Sequence, residues 1–276
     1  MLKQRIITAL ALVALLVSAV AFLPLPGLAL FLATVALVGG WEWSNLAHYK
    51  SLPLRMAFCS LQALVMLWMY VSCRLGDVPD TAAVQQLLGV AGVWWALALL
   101  WVKGYPASAG LWGNPFMLGL MGLLVITPAW LAVVFLLSYS HGPLLLLFMV
   151  VVIACADVGA YFAGRAWGKR KLALQVSPGK SWEGVWGGLL ACAMLGCVVF
   201  LVLRPPQLGL AGILAVILAT AMASVLGDLL ESMVKRHRGV KDSGTILPGH
   251  GGLLDRIDGH TAAAPVFALG LILAGW

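Results

Sequence analysis

The chain has 276 residues, of which 62% are hydrophobic and only 10% charged, with a formal net charge of +7. Soluble domains run to about 45–50% apolar and about 25% charged residues, so an ordinary water-soluble fold is excluded. The basic excess lies in short stretches between apolar runs, as a membrane topology signal does, and needs no nucleic acid to explain it.

A spanning helix needs about 20 mainly apolar residues. About nine such runs are predicted, over residues 6–23, 26–45, 56–73, 86–102, 116–137, 144–164, 184–203, 208–230 and 260–276. The expected fold is an all-α polytopic integral membrane protein. The first run follows Lys3 and Arg5 as a signal peptide would, but its length and the spans behind it favour a retained helix. The second is the weakest, because Gly39, Gly40 and Glu42 interrupt its end. Cys59, Cys73, Cys155, Cys192 and Cys197 form no CxxC and read as small apolar residues. A cytoplasmic N-terminus puts 15 of the 17 Lys and Arg on the cytoplasmic side, leaving only Arg74 and Arg204 outside.

Residues 1–140 hold Glu42, Asp77 and Asp80 and read as scaffold or lipid-facing wall. Residues 141–276 hold the other seven carboxylates and read as the working half, with cytoplasmic polar loops at 165–183 and 233–259.

The first polar stretch is "ADVGAYFAGRAWGKRKLALQVSPGKSWEGVWGG", residues 156–188. Asp157, Tyr161 and Arg165 share a helical face, and Lys169, Arg170, Lys171 and Lys180 follow. Gly179, Lys180 and Ser181 match the tail of a phosphate-binding P-loop. The leading glycine is replaced by Leu174 and no strand precedes, so a Walker-type ATPase is excluded. Ser177 and Ser181 are placed to cap a helix starting near Trp182, with Pro178 in its first turn. They are equally placed to hold an anion, and the two roles are compatible.

The second begins in "ASVLGDLLESMVKR", where Ser224, Asp228, Ser232 and Lys235/Arg236 share a face. An ionised Asp at mid-membrane costs about 2.5–3.5 kcal/mol, less near the interface. Asp228 therefore reads either as a functional carboxylate or as a helix-end group paired with a basic neighbour. The glycine-rich "HRGVKDSGTILPGHGG" lets backbone N–H groups approach a phosphate, with basic side chains as countercharge. In "LLDRIDGH", Asp255 and Asp258 face the same way if helical, as metal ligands or as a salt-bridge cluster around Arg256. Mg²⁺ takes oxygen ligands, commonly one or two carboxylates with phosphates and water, and Asp228 with Asp255, helped by Asp258, is such a set. His250 is open between metal ligand, phosphate contact and turn residue. Two polar segments on one membrane face suit a polyphosphate with its metal.

Ser232 to Asp258, "SMVKRHRGVKDSGTILPGHGGLLDRID", resembles throughout the signature of the phosphatidate cytidylyltransferases (CDP-diacylglycerol synthases). "DVGAYFAGRAWGKRKLALQVSPGKSWEG" and the "WEW" after the second apolar run are also similar to that family's motifs. The resemblance implies a Mg²⁺-dependent enzyme of the bacterial inner membrane that converts CTP and phosphatidate to CDP-diacylglycerol and pyrophosphate. It leaves room for a second, monovalent cation and for a homodimer. On this reading Asp228 and Asp255 hold metal, with Asp258 and Asp157 the next candidates, and Lys235 and Lys241 join the aspartates as the catalytic set. Lys235, Arg236, Lys241 and Arg256 hold the CTP phosphates or the leaving pyrophosphate. Lys169, Lys180, Ser177 and Ser181 bind nucleotide or lipid headgroup, and Asp157, Ser232, Asp242 and His250 complete the substrate-binding set. The nearest alternative is another CTP-dependent lipid-activating enzyme or lipid kinase on the same fold. A transporter would show mid-membrane charges and broken helices in two related halves, which this sequence lacks.

Overall fold

The structure, a computed structural model, describes residues 14–203, 208–247, 249 and 251–275. A helix α1 is seen over 14–22, so most of the first predicted span lies outside the described residues. There follow α2 (Leu25–Leu46), α3 (Leu52–Ser72), α4 (Thr81–Gly104), the single turn α5 (Ala109–Trp112), α6 (Pro115–Leu137) and α7 (Gly142–Trp167). A hairpin of β1 (Lys171–Ala173) and β2 (Ser177–Ser181) precedes α8 (Trp182–Leu203), α9 (Leu210–Arg238) and α10 (Leu254–Leu273). Among the described residues seven helices, α2–α4 and α6–α9, are long and apolar enough to cross a membrane. The fold is that of an all-α polytopic membrane protein.

The main departures from the predicted elements fall where polar residues enter, besides the unforeseen turn α5. Gly39, Gly40 and Glu42 do not interrupt α2, which continues to Leu46 with all three buried. Gly40 instead faces the Gln62 amide, whose Nε2 donates to the Ala36 carbonyl at 2.9 Å. Helix α9 runs eight residues past the predicted end, its last turn carrying Lys235, Arg236, His237 and Arg238. Cations there complement the partial negative charge of the free carbonyls, and Gly239 stops the helix in the left-handed region at φ 76°. Helix α10 starts at Leu254 rather than 260, so Asp255 and Asp258 are helical. The hairpin is unforeseen: Lys171 pairs with Ser181 and Ala173 with Ser177. Pro178 therefore lies in β2, not in the first turn of α8. An edge strand tolerates proline because its missing N–H costs no ladder bond.

Helix α6 forms the centre, with 72% of its most apolar stretch buried against 22% for α3 and for α8. Those outer helices expose Leu61, Leu64, Trp68, Leu190, Met194 and Leu201, as lipid-facing walls should. Helices α7 and α8 meet along small residues: a Cβ added at Gly188 would stand 2.6 Å from the Ala156 carbonyl oxygen. Since that neighbour is backbone, it cannot swing aside. Gly188→Leu should cost about 1–3 kcal/mol by overpacking, read as a lower unfolding midpoint in detergent, whereas Leu190→Ala on the lipid face should leave it nearly unchanged.

Candidate functional site

Small residues let α10 lie directly on α9. Gly227 faces the Asp258 carbonyl and Gly259 faces Ser224. This contact brings the first turns of α10 alongside Asp228, with α7 and the hairpin completing the enclosure.

Two charge clusters result. In the first, Lys180 Nζ from β2 lies 2.5 Å from Asp228 Oδ2, and Ser232 Oγ donates to Asp228 Oδ1 at 3.1 Å. Asp157 on α7 and Asp258 on α10 both lie within electrostatic reach of Asp228 and Lys180. Asp258 Oδ1 also accepts from the Gly259 N–H at 2.7 Å. Lys180 thus pairs with Asp228, and carboxylates on α7 and α10 add their charge to the same neighbourhood. The pair itself is partly open, with side-chain exposures of 29% for Lys180 and 35% for Asp228.

The second cluster is closed. Lys235, only 7% exposed, sits 2.6 Å from Asp255 Oδ1 and 3.2 Å from Glu231 Oε1. Asp255 Oδ2 accepts from the Ser243 N–H at 2.9 Å, the Ser243 hydroxyl at 3.1 Å and the Gly252 N–H at 2.8 Å. Glu42, reaching over from α2 and 2% exposed, accepts from Leu253 N–H at Oε1 and from Leu254 N–H at Oε2, both at 2.9 Å. Its Oε2 also accepts from Ser243 Oγ at 3.0 Å. Helix α10 has no side-chain cap of its own at Leu253. Glu42 supplies that cap from the other half of the chain, where free N–H donors and the helix dipole favour a carboxylate.

The predicted site residues therefore divide. Asp157, Lys180, Asp228, Ser232 and Asp258 come together. Asp255 lies next to them and pairs with Lys235, whereas Asp228 pairs with Lys180. Arg236 turns to backbone, donating to the Val176 carbonyl at 3.4 Å and the Val240 carbonyl at 3.3 Å, and so ties the hairpin to α9. Ser181 caps α8 by accepting from Gly184 N–H at 3.2 Å. Ser177 is paired in β2 and half-buried. Lys169, Lys241, Asp242 and Arg256 are exposed, with Asp242 packed beside Gly251. The backbone N–H groups of Lys169 and Arg170 are held by the Glu183 carboxylate. His250 lies outside the described residues.

Sequence reasoning passed over Glu42, Glu231 and Ser243 as site residues. The Glu231–Lys235 spacing of four was a readable ion-pair signal. Glu42 is visible as a charge within an apolar run, a marker of function in membrane spans, and lies in the family-like "WEW", but no local pattern names its partners at the start of α10. Ser243 carried no local signal, since its partners lie far along the chain.

A family model described as the cytidylyltransferase family matches residues 3–273. A phosphatidate cytidylyltransferase of Pseudomonas aeruginosa is 45% identical over 276 residues, covering 100% of this chain and 99% of that protein. One of Haemophilus influenzae is 43% identical, covering 97% and 98%. One of Bacillus subtilis is 33% identical, covering 96% and 95%. Matches of this extent take in both charge clusters and the helices that carry them, and the chain belongs to the cytidylyltransferase family.

Proposed function

We propose that this chain transfers the cytidylyl group of CTP to phosphatidate, giving CDP-diacylglycerol and pyrophosphate. The observation that carries the reading is the Asp228–Lys180 pair, with Asp157 and Asp258 within its electrostatic reach, beside basic loops at one end of the helices. In the reaction a phosphate oxygen of the lipid bonds to the α-phosphorus of CTP as the bond to the β-phosphate breaks, and pyrophosphate leaves with that electron pair. A phosphate monoester is already anionic near pH 7, so no general base is needed. The protein's task is positioning and charge neutralisation. Lys180 stands on a hairpin rather than in a helix, and is placed to exchange Asp228 for a substrate phosphate.

The donors suit Mg²⁺. They are hard oxygens, and three carboxylates exceed the charge of one lysine. Among the described residues no three His, Cys, Asp or Glu side chains are close enough to hold a metal by themselves. Mg²⁺ does not require that, since it commonly takes one or two carboxylates with phosphates and water. Asp228 and Asp258 would hold the ion, with Asp157 beside them. Asp255, expected from the sequence as the second ligand, is engaged by Lys235, Ser243 and Gly252 much as Asp228 is by Lys180 and Ser232, and would be the alternative to Asp258 beside the ion. The bound ion would neutralise charge developing on the nucleotide phosphates. Nine spans with a cytoplasmic N-terminus, in a bacterial inner membrane, would bring CTP from water and lipid sideways from the bilayer.

Pyrophosphate release by the purified protein in detergent should require CTP, phosphatidate and Mg²⁺ together. Release with a lipid alcohol or another phospholipid, but not phosphatidate, would assign a different lipid-activating reaction. Folded protein inert with every lipid would overturn the enzymatic reading.

A further inference from the structure

Lys180 reaches Asp228 from a hairpin too small to hold its own position. The three residues of β1 lie against the five of β2, with an irregularity between Lys171 and Ala173. An isolated two-stranded hairpin is marginally stable at best, so the place of Lys180 is set by what fastens the hairpin to the helices. At the tip, beyond the far end of β2 from Lys180, Arg236 donates to the Val176 carbonyl at 3.4 Å. At the neck, where α7 leads into β1 and β2 into α8, the Glu183 carboxylate reaches across to the incoming segment. Its Oε2 accepts from the Lys169 N–H and the Arg170 N–H, both at 3.1 Å, and its Oε1 from the Arg170 N–H at 3.2 Å. Beside it the Trp182 N–H donates to the Arg170 carbonyl at 2.9 Å. Lys171, the next residue, pairs with Ser181, which puts the clamp at the Lys180 end of the ladder.

We propose that Glu183 is a positioning residue: by clamping the neck of the hairpin it holds the Lys180 ammonium where Asp228, and then a substrate phosphate, meets it; the second of these roles rests on the reaction proposed above. A carboxylate in the first turn of α8 is favoured by the helix dipole in any case. The dipole does not require its oxygens to bind the segment leading into β1. Hydrogen bonds to an ionised acceptor are roughly twice as strong as neutral ones, so the clamp is the firmer fastening, and the longer Arg236 contact at the tip is the weaker. Both donors are backbone groups, so the contact fixes the path of the chain rather than the charge of the loop.

The placement of Lys180 is read first without turnover. Full-length protein in phosphatidylcholine nanodiscs is acylated with an amine-reactive ester, and the initial rate at each lysine is followed by mass spectrometry. In wild type, Lys180 paired with Asp228 should react more slowly than the exposed Lys169. Glu183→Ala should raise the Lys180 rate to that seen in Asp228→Asn, where the pair itself is lost. Glu183→Gln, which keeps an acceptor oxygen, should fall between. An unchanged Lys180 rate in Glu183→Ala would overturn the proposal. Turnover then separates positioning from general stabilisation. Glu183→Ala should lower pyrophosphate release from CTP and phosphatidate by about 10–10²-fold at a nearly unchanged unfolding midpoint, since a misplacement of about 1 Å costs on that order. In a Lys180→Ala background the same change should cost no further factor, because residues that act through one another are not additive. A full multiplicative loss in that background would show Glu183 acting apart from Lys180 and would refute the assignment. A wild type with the expected labelling pattern that makes no pyrophosphate would fail the proposed reaction while sparing the clamp.

Discussion

Asp228→Asn should lower kcat by about 10²–10³-fold, the usual loss when one preorganised electrostatic contact to a reacting centre is removed, while leaving the protein folded. The second half of that expectation follows from exposure. The Asp228–Lys180 pair is about a third open to solvent on both sides. Pairs of that kind contribute about 0–1 kcal/mol to stability, so the unfolding midpoint in detergent should hardly move. Asp255→Asn is a poorer probe for the opposite reason. It breaks a network in which Lys235 and Asp255 side chains are 8% and 6% exposed and Glu231 is 3% exposed. Breaking a buried pair costs about 3–5 kcal/mol, and activity lost that way says nothing about chemistry. The measurement is pyrophosphate release at saturating CTP, repeated over a Mg²⁺ titration. If Asp228 helps hold the ion, the variant needs more Mg²⁺ for half-maximal rate. Unchanged turnover and an unchanged Mg²⁺ curve in Asp228→Asn would remove Asp228 from the site, and Asp258→Asn would then decide whether any of the cluster is catalytic.

The helical membrane architecture was legible because each span is written locally, as a run of apolar residues whose length the bilayer sets. The convergence of two polar segments was legible too, through Asp228, Lys180 and Asp258. What local pattern could not divide was the labour among aspartates. Asp255 and Asp258 sit one turn apart on the same side of α10, yet one is claimed by Lys235 and the Ser243–Gly252 loop while the other faces Asp228. That difference depends on how α9 and α10 close upon each other at Gly227 and Gly259, a tertiary fact. The hairpin was missed for a similar reason. Its five-residue strand "SPGKS" contains Pro and Gly, and gains its partner only because the chain reverses at 174–176 and Arg236 holds the Val176 carbonyl from α9.

Glu42→Ala should be the most damaging single change in the first half of the chain, although Glu42 touches none of the groups placed at the reaction centre. The carboxylate accepts from two backbone N–H groups at the start of α10 and from the Ser243 hydroxyl, 2% exposed and therefore out of reach of replacement by water. Each buried donor left without a partner costs about 1–3 kcal/mol. Partial relaxation of the loop brings the expected loss to roughly 3–5 kcal/mol rather than the full sum. Nothing else is positioned to fill the gap, because Gly244 and Gly252 pack directly against the carboxylate and carry no side chain. Glu42→Gln keeps the shape and one acceptor oxygen but turns an amide N–H₂ toward a donor, so it should fall between alanine and wild type. Glu42→Asp keeps the charge and shortens the reach. The predicted order of unfolding midpoints is wild type, then Gln and Asp, then Ala. Limited proteolysis should place the weakness in the 239–253 loop rather than in α2. Activity should follow the same order, because the loop that Glu42 pins carries Lys241 and leads into Asp255 and Asp258. An alanine variant as stable and as protease-resistant as wild type would show that α10 is held by its packing on α9 alone, and that the charge in α2 answers to some other need.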